Sequence, residues 1–478
     1  MKKMIISAAL LVAGITIQAQ LQNPDFEETE NNLPIGWKNK PSELYLVKSD
    51  DAVKYSGKSA LQISSISNAP KAMQTFSQII PIPGSGIRKV RLSGYIRSEN
   101  TEGKIALWTQ VWNAEKTMID FGNSDTQNNI VVSNTDWKEY TLEFLVDDMA
   151  RNFVFGGLLQ GNGKVWFDQF SVTEVPFSDK ASSKKALAYI DEFKNIVKKN
   201  SIFKDKINWT LMEQNLHKMS KDMETVEDTD PTILYIMKTL RNVGDNHSFI
   251  DSKENVEKKN VSNPTAIEPE SKLMDQHIGY VMVPGFSSLS KEVGSSFAEK
   301  IQGMIRKLDT ENQIKGWIVD LRRNMGGNMY PMITGLGPLT GEGTLGYFAS
   351  GKGKSAWSYK KGSSGGMTVS NPYYLKNPDT KIAVLIGPYT GSSGEATTLS
   401  FIGKKNVRTF GQPSAGYTSG NQSFRLSDGR NLLLASSYEM DRTGKEYREK
   451  IQPDVSVVPS ESKENDADVA EAVQWILK

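Results

Sequence analysis

The chain has 478 residues, with 57 Lys and Arg against 55 Asp and Glu, a formal net charge of +2, and no cysteine. That length accommodates two or three domains. The balanced charge, without a basic run, argues against a nucleic-acid partner, and the lack of cysteine excludes disulfides, thiolate metal sites and lipid attachment to an N-terminal cysteine.

Met1-Lys2-Lys3 is basic, Met4 to Ile17 is apolar, and Gln18-Ala19-Gln20 offers a cleavage site after Ala19. Residues 1–19 therefore read as a signal peptide, too short and wrongly flanked for a lasting membrane anchor. The expectation is an exported protein, periplasmic or extracellular, with no membrane span.

From 20 to 176, short alternating runs recur between turn signals, among them Val90 to Ile96, Ile105 to Trp112, Trp137 to Phe144 and Val165 to Val172. This pattern predicts an antiparallel β-sandwich. Its tryptophans, Trp37, Trp108, Trp112, Trp137 and Trp166, suit a sugar-stacking surface or, by the more ordinary reading, a sandwich core. Asn23 to Glu27 with Gly36-Trp37, and the closing Trp166-Phe167-Asp168, resemble carbohydrate-binding-module-like jelly rolls. The resemblance implies the fold and leaves a glycan partner open.

Residues 177–265 are polar, with helical spacing over Lys184 to Asn200 and Ile233 to Val243. Lys253 to Pro269 reads as a linker. The chain has only three histidines. His217 falls on a polar helical stretch and His277 at a strand edge, whereas His247 sits in the Gly/Asp/Asn turn Val243 to Ser248, the kind of segment that carries function.

Residues 266–478 hold two buried strands, Gly316 to Leu321 and Ile382 to Ile386. The first runs into Arg323-Asn324-Met325-Gly326-Gly327, where paired glycines let the backbone approach a substrate. The second runs into Gly387-Pro388-Tyr389-Thr390-Gly391-Ser392-Ser393-Gly394-Glu395 and then a helical start. That turn holds a serine hydroxyl where unpaired N–H groups favour a developing negative charge. Asp320 and Arg322 read as a structural ion pair. Ser350 to Lys354 and Lys361 to Gly366 lack P-loop spacing and read as flexible loops near the site.

Taken in order, Gly244 to Ser248, Ile278 to Phe286, Asp320 to Gly327, Ser392 to Glu395 and Ile451 to Val455 resemble the tail-specific (C-terminal processing) and tricorn-type serine peptidases, over roughly 180–478. The resemblance implies an α/β crotonase/ClpP-like spiral core over 266–478. It implies peptide-bond hydrolysis through Ser392, with oxyanion donors at the N–H of Ser393 and Gly326 (Gly327 as the alternative), and no metal or cofactor. One branch of the family activates its serine with a lysine twenty-five positions later. That position is Tyr417 here, and a phenol is a poor base at neutral pH. The tricorn-like branch uses a histidine, matched by His247, with a glutamate near the C-terminal Pro-Asp segment; Glu449 is the nearest fit, and Asp245 is a rival orienting group. No segment between His247 and Ile278 is long enough for a PDZ module, so selection of free C-termini is not implied. The alternative is an inactive peptidase-like scaffold that binds peptides, apolar ligands or glycans. Glycan hydrolysis lacks a paired-carboxylate signal.

Overall fold

The computed structural model describes residues 21–68, 70–82, 86–127, 129–263, 267–458 and 466–478. The expected signal peptide lies outside the described residues. Two compact units divide the chain. One holds the residues up to Ser182 with Trp209–Asp222, and the other Ser183–Asn208 with Met223–Lys478. The helical stretch expected over 177–265 is therefore shared between the two rather than forming its own body.

The first unit is β-rich. Two long strands, Arg88–Trp112 and Asn152–Val175, pair antiparallel almost throughout, with register shifts at Asn162/Lys164 and Asp168/Ser171. Such bulges bend a ribbon and let it turn a corner. Met73–Pro81 and Ala60–Ser65 pair with the second long strand, and Met118–Asn123 and Lys138–Val146 with the first. Period-two alternation sends Ile105, Leu107, Val111, Phe153, Phe155 and Leu159 into one core with Phe26, Trp37 and Phe76. Trp166 is also buried, its Nε1 donating to Asp50 at 2.9 Å. Trp108 is only 8% exposed, yet it packs with Ala106 and Leu158 in a cluster separate from that core. Trp112 and Trp137 are half-buried.

The second unit is built on a mostly parallel six-stranded sheet. Its order runs Glu270–Met274, Ile278–Met282, Gly316–Asp320, Lys381–Ile386, Val407–Gly411, Val455–Ser456. The first strand is antiparallel and the rest parallel. Both faces are covered, which is why the central strands read as unbroken apolar runs. Helix Lys291–Glu311 brings Phe297, Ile301, Ile305 and Leu308 against Val281, Val319 and Val384. Helix Ala467–Leu477 brings Ala472 and Ile476 against Ile318, Ala383 and Phe410. A second sheet holds Phe249–Asp251, Gly343–Ser350, Gly353–Tyr359, Ser419–Arg425, Asn431–Asp441 and Glu446–Tyr447.

Two local expectations change. Lys253–Val261 is a helix rather than a linker, because the Ser252 hydroxyl accepts the Asn255 N–H at 3.2 Å and caps it. Ser350 to Lys354 is the tight turn of a paired hairpin rather than a loose loop. Further along the chain, the Lys404 ammonium donates to the Leu339 carbonyl at 2.7 Å, and burial brings its pKa down to about 8.

Gly316–Asp320 and Lys381–Ile386 are neighbours in the sheet, with Asp320 opposite Leu385. Their following loops therefore leave from the same, carboxyl end of the sheet, the usual place for a site in such folds.

Candidate active site

The loop after the second of these strands puts Ser392 at the mouth of a short helix, Ser393–Leu399. Ser392 has φ 54°, ψ −122°. A left-handed serine costs on the order of 1–3 kcal/mol and persists only where its surroundings over-determine it. The over-determination is visible. The Ser392 N–H donates to Glu395 Oε2 at 2.8 Å, and the Ser392 carbonyl accepts from Glu395 and Ala396. Glu395 is fully buried and also accepts the Ser414 hydroxyl, the Gly416 N–H at 2.9 Å and the Tyr417 N–H at 2.8 Å. Burial raises its pKa against the pull of those donors.

The loop after the first strand supplies Asn324, Gly326 and Gly327. Asn324 is fully buried. Its carbonyl accepts the Gly391 N–H at 3.0 Å, its Oδ1 accepts the Gly326 N–H at 3.0 Å, and its Nδ2 donates to the Val283 carbonyl at 3.2 Å. One residue, through its backbone carbonyl and its side chain together, thus ties the glycine loop to the serine loop. The approach is close enough to require glycine. A Cβ on Gly326 would stand 2.8 Å from the Ser392 Cβ, at φ +100°.

This bonding corrects one assignment. The Gly326 N–H is engaged by Asn324, whereas the N–H groups of Ser393 and Gly327 have no partner among the described residues. Ser393 Oγ also donates to the Gly327 carbonyl at 2.6 Å, so these two residues are locked together. The available pair of donors is Ser393 and Gly327, the alternative of the two glycines.

His247 arrives from the turn between helix Asp230–Asn242 and strand Phe249–Asp251. The Asp245 carboxylate shapes that turn by accepting the N–H groups of His247 and Ser248 at 3.1 and 2.9 Å and the Ser248 hydroxyl at 2.6 Å. It therefore caps its own turn and makes no bond to the imidazole. The imidazole Nε2 stands 2.8 Å from Ser392 Oγ, and its Nδ1 stands 2.8 Å from Ser419 Oγ. Burial holds the imidazole pKa down at about 4, with the Asp245 charge pulling upward. The ring is therefore neutral at pH 7, with a lone pair free to take a proton.

Glu449 does not orient His247. It is exposed on the chain leading to Ile451, and its carbonyl, not its carboxylate, is engaged, by Thr418 Oγ1 at 3.0 Å. Ser419, at the start of strand Ser419–Arg425, fills the role expected of it. The other two histidines are elsewhere: His217 is exposed on helix Trp209–Met219, and His277 ends a 3₁₀ turn before Ile278–Met282. Asp320 and Arg322 are structural, since the guanidinium joins Asp320, Asp466 and Asp468 at 2.6, 2.7 and 2.9 Å. Beside the histidine, Asn421 Nδ2 donates to the His247 carbonyl at 2.9 Å. Asn421 also lines a groove of about 520 Å³ with Phe348, Lys354, Gly420 and Ser437. Among the described residues no cluster of three His, Asp or Glu is placed to hold a metal ion.

Residues 277–457 match the model of peptidase family S41. The nisin-resistance protein of Lactococcus lactis subsp. lactis is 31% identical over 316 residues, covering 65% of this chain and 91% of that one. The solved structure of a lipoprotein from Streptococcus agalactiae is 27% identical, with a TM-score of 0.51, covering 62% of this chain and 97% of that one. The segment matched by the family model takes in Gly327, Ser392 and Ser419 but not His247. With a relative this similar along nine-tenths of its length, the chain belongs to peptidase family S41, the serine peptidases that include the C-terminal processing proteases.

Proposed function

We propose that this chain is an exported serine endopeptidase that hydrolyses peptide bonds through an acyl-enzyme on Ser392. The observation that carries the reading is the 2.8 Å contact between Ser392 Oγ and a neutral His247 Nε2. His247 takes the Ser392 proton as Oγ attacks the scissile carbonyl, and the Nδ1–H held by Ser419 keeps the ring in the accepting tautomer. The carbonyl oxygen becomes an oxyanion received by the N–H groups of Ser393 and Gly327, each worth about 2.7–4 kcal/mol in comparable sites. His247 then gives its proton to the leaving amine, and the C–N bond breaks. Water, deprotonated by His247, attacks the acyl ester and releases the new carboxylate and Ser392. The groove beside Asn421 gives an extended peptide room next to this pair.

The Lactococcus relative is named for nisin resistance, so nisin is the first peptide to try. Purified protein without residues 1–19 is incubated with nisin and a mixed peptide pool, and products are read by mass spectrometry. Cleavage that Ser392→Ala abolishes supports the proposal; cleavage unchanged in Ser392→Ala refutes it. A non-catalytic, ligand-binding reading draws on one observation, the Gly326 N–H already engaged by Asn324. It predicts peptide binding without products. For the sandwich, glycan binding draws on Tyr55, stacked on Tyr95 at 3.8 Å beside Trp137. Retention on a glycan array, lost in Trp137→Ala, is its test.

A further inference from the structure

The geometry points to Tyr417 as a positioning residue that covers the His247 imidazole, keeping it dry and flat against the Ser392 hydroxyl. This rests on the catalytic reading above and adds a residue to it. The two rings lie nearly parallel, with centroids 5.4 Å apart and 22° between planes. The Tyr417 ring also closes over the nucleophile loop, its Cδ2 reaching within 3.3 Å of where a side chain on Gly391 would project. Its position is fixed by the backbone. The Tyr417 N–H donates to Glu395 Oε2, the same oxygen that accepts the Ser392 N–H, both at 2.8 Å. One buried carboxylate oxygen therefore sets the spacing between nucleophile and cover.

Ordinary core packing does not account for this ring. Tyr417 is 40% exposed, and its hydroxyl has no partner among the described residues. A tyrosine placed for stability buries its ring or bonds its phenol, and this one does neither. What it does is remove one face of an imidazole from water. Desolvation disfavours the charged form of a histidine, and a proton-accepting histidine must stay neutral at working pH.

The charged and titratable groups around His247 are few. Asp245 lies in its own turn and favours protonation. Glu395 lies behind Ser392. Glu439, buried one strand away with its N–H on the Thr418 carbonyl, is held toward its neutral form by burial first and by Glu395 second. The Lys450 stem packs against Gly416 rather than against the imidazole. Among the described residues Asp245 is the one charged group acting on the imidazole, and it acts to raise the pKa, so the low value depends on exclusion of water, and Tyr417 is the exposed element of that exclusion.

The test compares wild type, Tyr417→Phe, Tyr417→Ala and Tyr417→Leu. His247 is titrated by NMR, with its signals identified by their loss in His247→Ala, and the fluorophosphonate labelling rate is followed against pH in parallel. Wild type and Tyr417→Phe are expected to titrate together near pH 4. Tyr417→Ala is expected to move up by roughly one to two units toward the ordinary histidine value, with the acid limb of labelling moving by the same amount. Tyr417→Leu, which keeps bulk without the flat ring, is expected to fall between and serves if the alanine variant does not fold. A His247 titration unchanged in Tyr417→Ala overturns the inference, as does an equal shift in Tyr417→Phe. Absence of labelling in wild type at every pH overturns the catalytic reading instead, while the NMR titration still decides the covering role.

Discussion

Ser419→Ala removes the only group bonded to His247 Nδ1 among the described residues, at 2.8 Å, and Ser419 is buried. A hydrogen bond of this kind contributes about 0.5–1.5 kcal/mol, and a buried ring N–H left without an acceptor costs about 1–3 kcal/mol. The transition state, in which the imidazole becomes an imidazolium, feels that loss fully. The expected barrier increase is therefore about 1–3 kcal/mol, a roughly 5- to 150-fold slower reaction. The assay is the second-order rate of fluorophosphonate labelling at pH 7.5, with the thermal midpoint measured alongside. Glu449→Ala is the control. It is an exposed substitution whose expected effect is within about 0.5 kcal/mol, roughly twofold in rate. The reasoning fails if Ser419→Ala labels at the wild-type rate, or if Glu449→Ala loses more than Ser419→Ala does.

Glu395→Gln exchanges two acceptor sites for an amide NH₂, leaving at least one buried N–H among those of Ser392, Gly416 and Tyr417 facing a donor; urea unfolding should show a loss of about 2–5 kcal/mol. Gly326→Ala introduces a Cβ 2.8 Å from that of Ser392 at φ +100°, so labelling should fall at least tenfold while the thermal midpoint drops by an amount corresponding to about 1–3 kcal/mol. Glu439 is buried with Oε2 unpartnered, and its folded pKa is raised well above the ordinary carboxyl value. A raised folded pKa means the native state binds the extra proton, so this contribution is intact below the unfolded pKa of about 4.3 and is lost as pH rises toward the folded value. Glu439→Gln should therefore flatten the fall in stability above pH 5 and change little at pH 4, which unfolding curves across that range would check.

The parts of this molecule set by local pattern were legible in the sequence. Unbroken apolar runs gave the central strands, period-two alternation gave the sandwich, and a Gly/Ser turn between strand and helix marked Ser392. His247 was reachable because the chain has so few histidines and only one lies in a turn of that kind. What stayed hidden depends on contacts between distant segments. Ser419 is 172 positions from His247, and nothing in its own neighbourhood distinguishes it from any serine opening a strand. Asn324 reads in the sequence as part of a glycine loop, but its role comes from reaching Gly391 and Val283 at once. The choice between Gly326 and Gly327 turns on one side-chain acceptor, which no spacing rule supplies. Glu449 fits the Pro-Asp segment by chain position, but position alone does not bring its carboxylate to the imidazole.

The central claim is that Ser392 is a nucleophile activated by His247. Intact-mass and peptide-level mass spectrometry after fluorophosphonate treatment tests it most directly. The account predicts one adduct per chain on Ser392, absent in Ser392→Ala and slowed by at least two orders of magnitude in His247→Ala. An adduct on another residue, or labelling of Ser392 at an undiminished rate in His247→Ala, would contradict it.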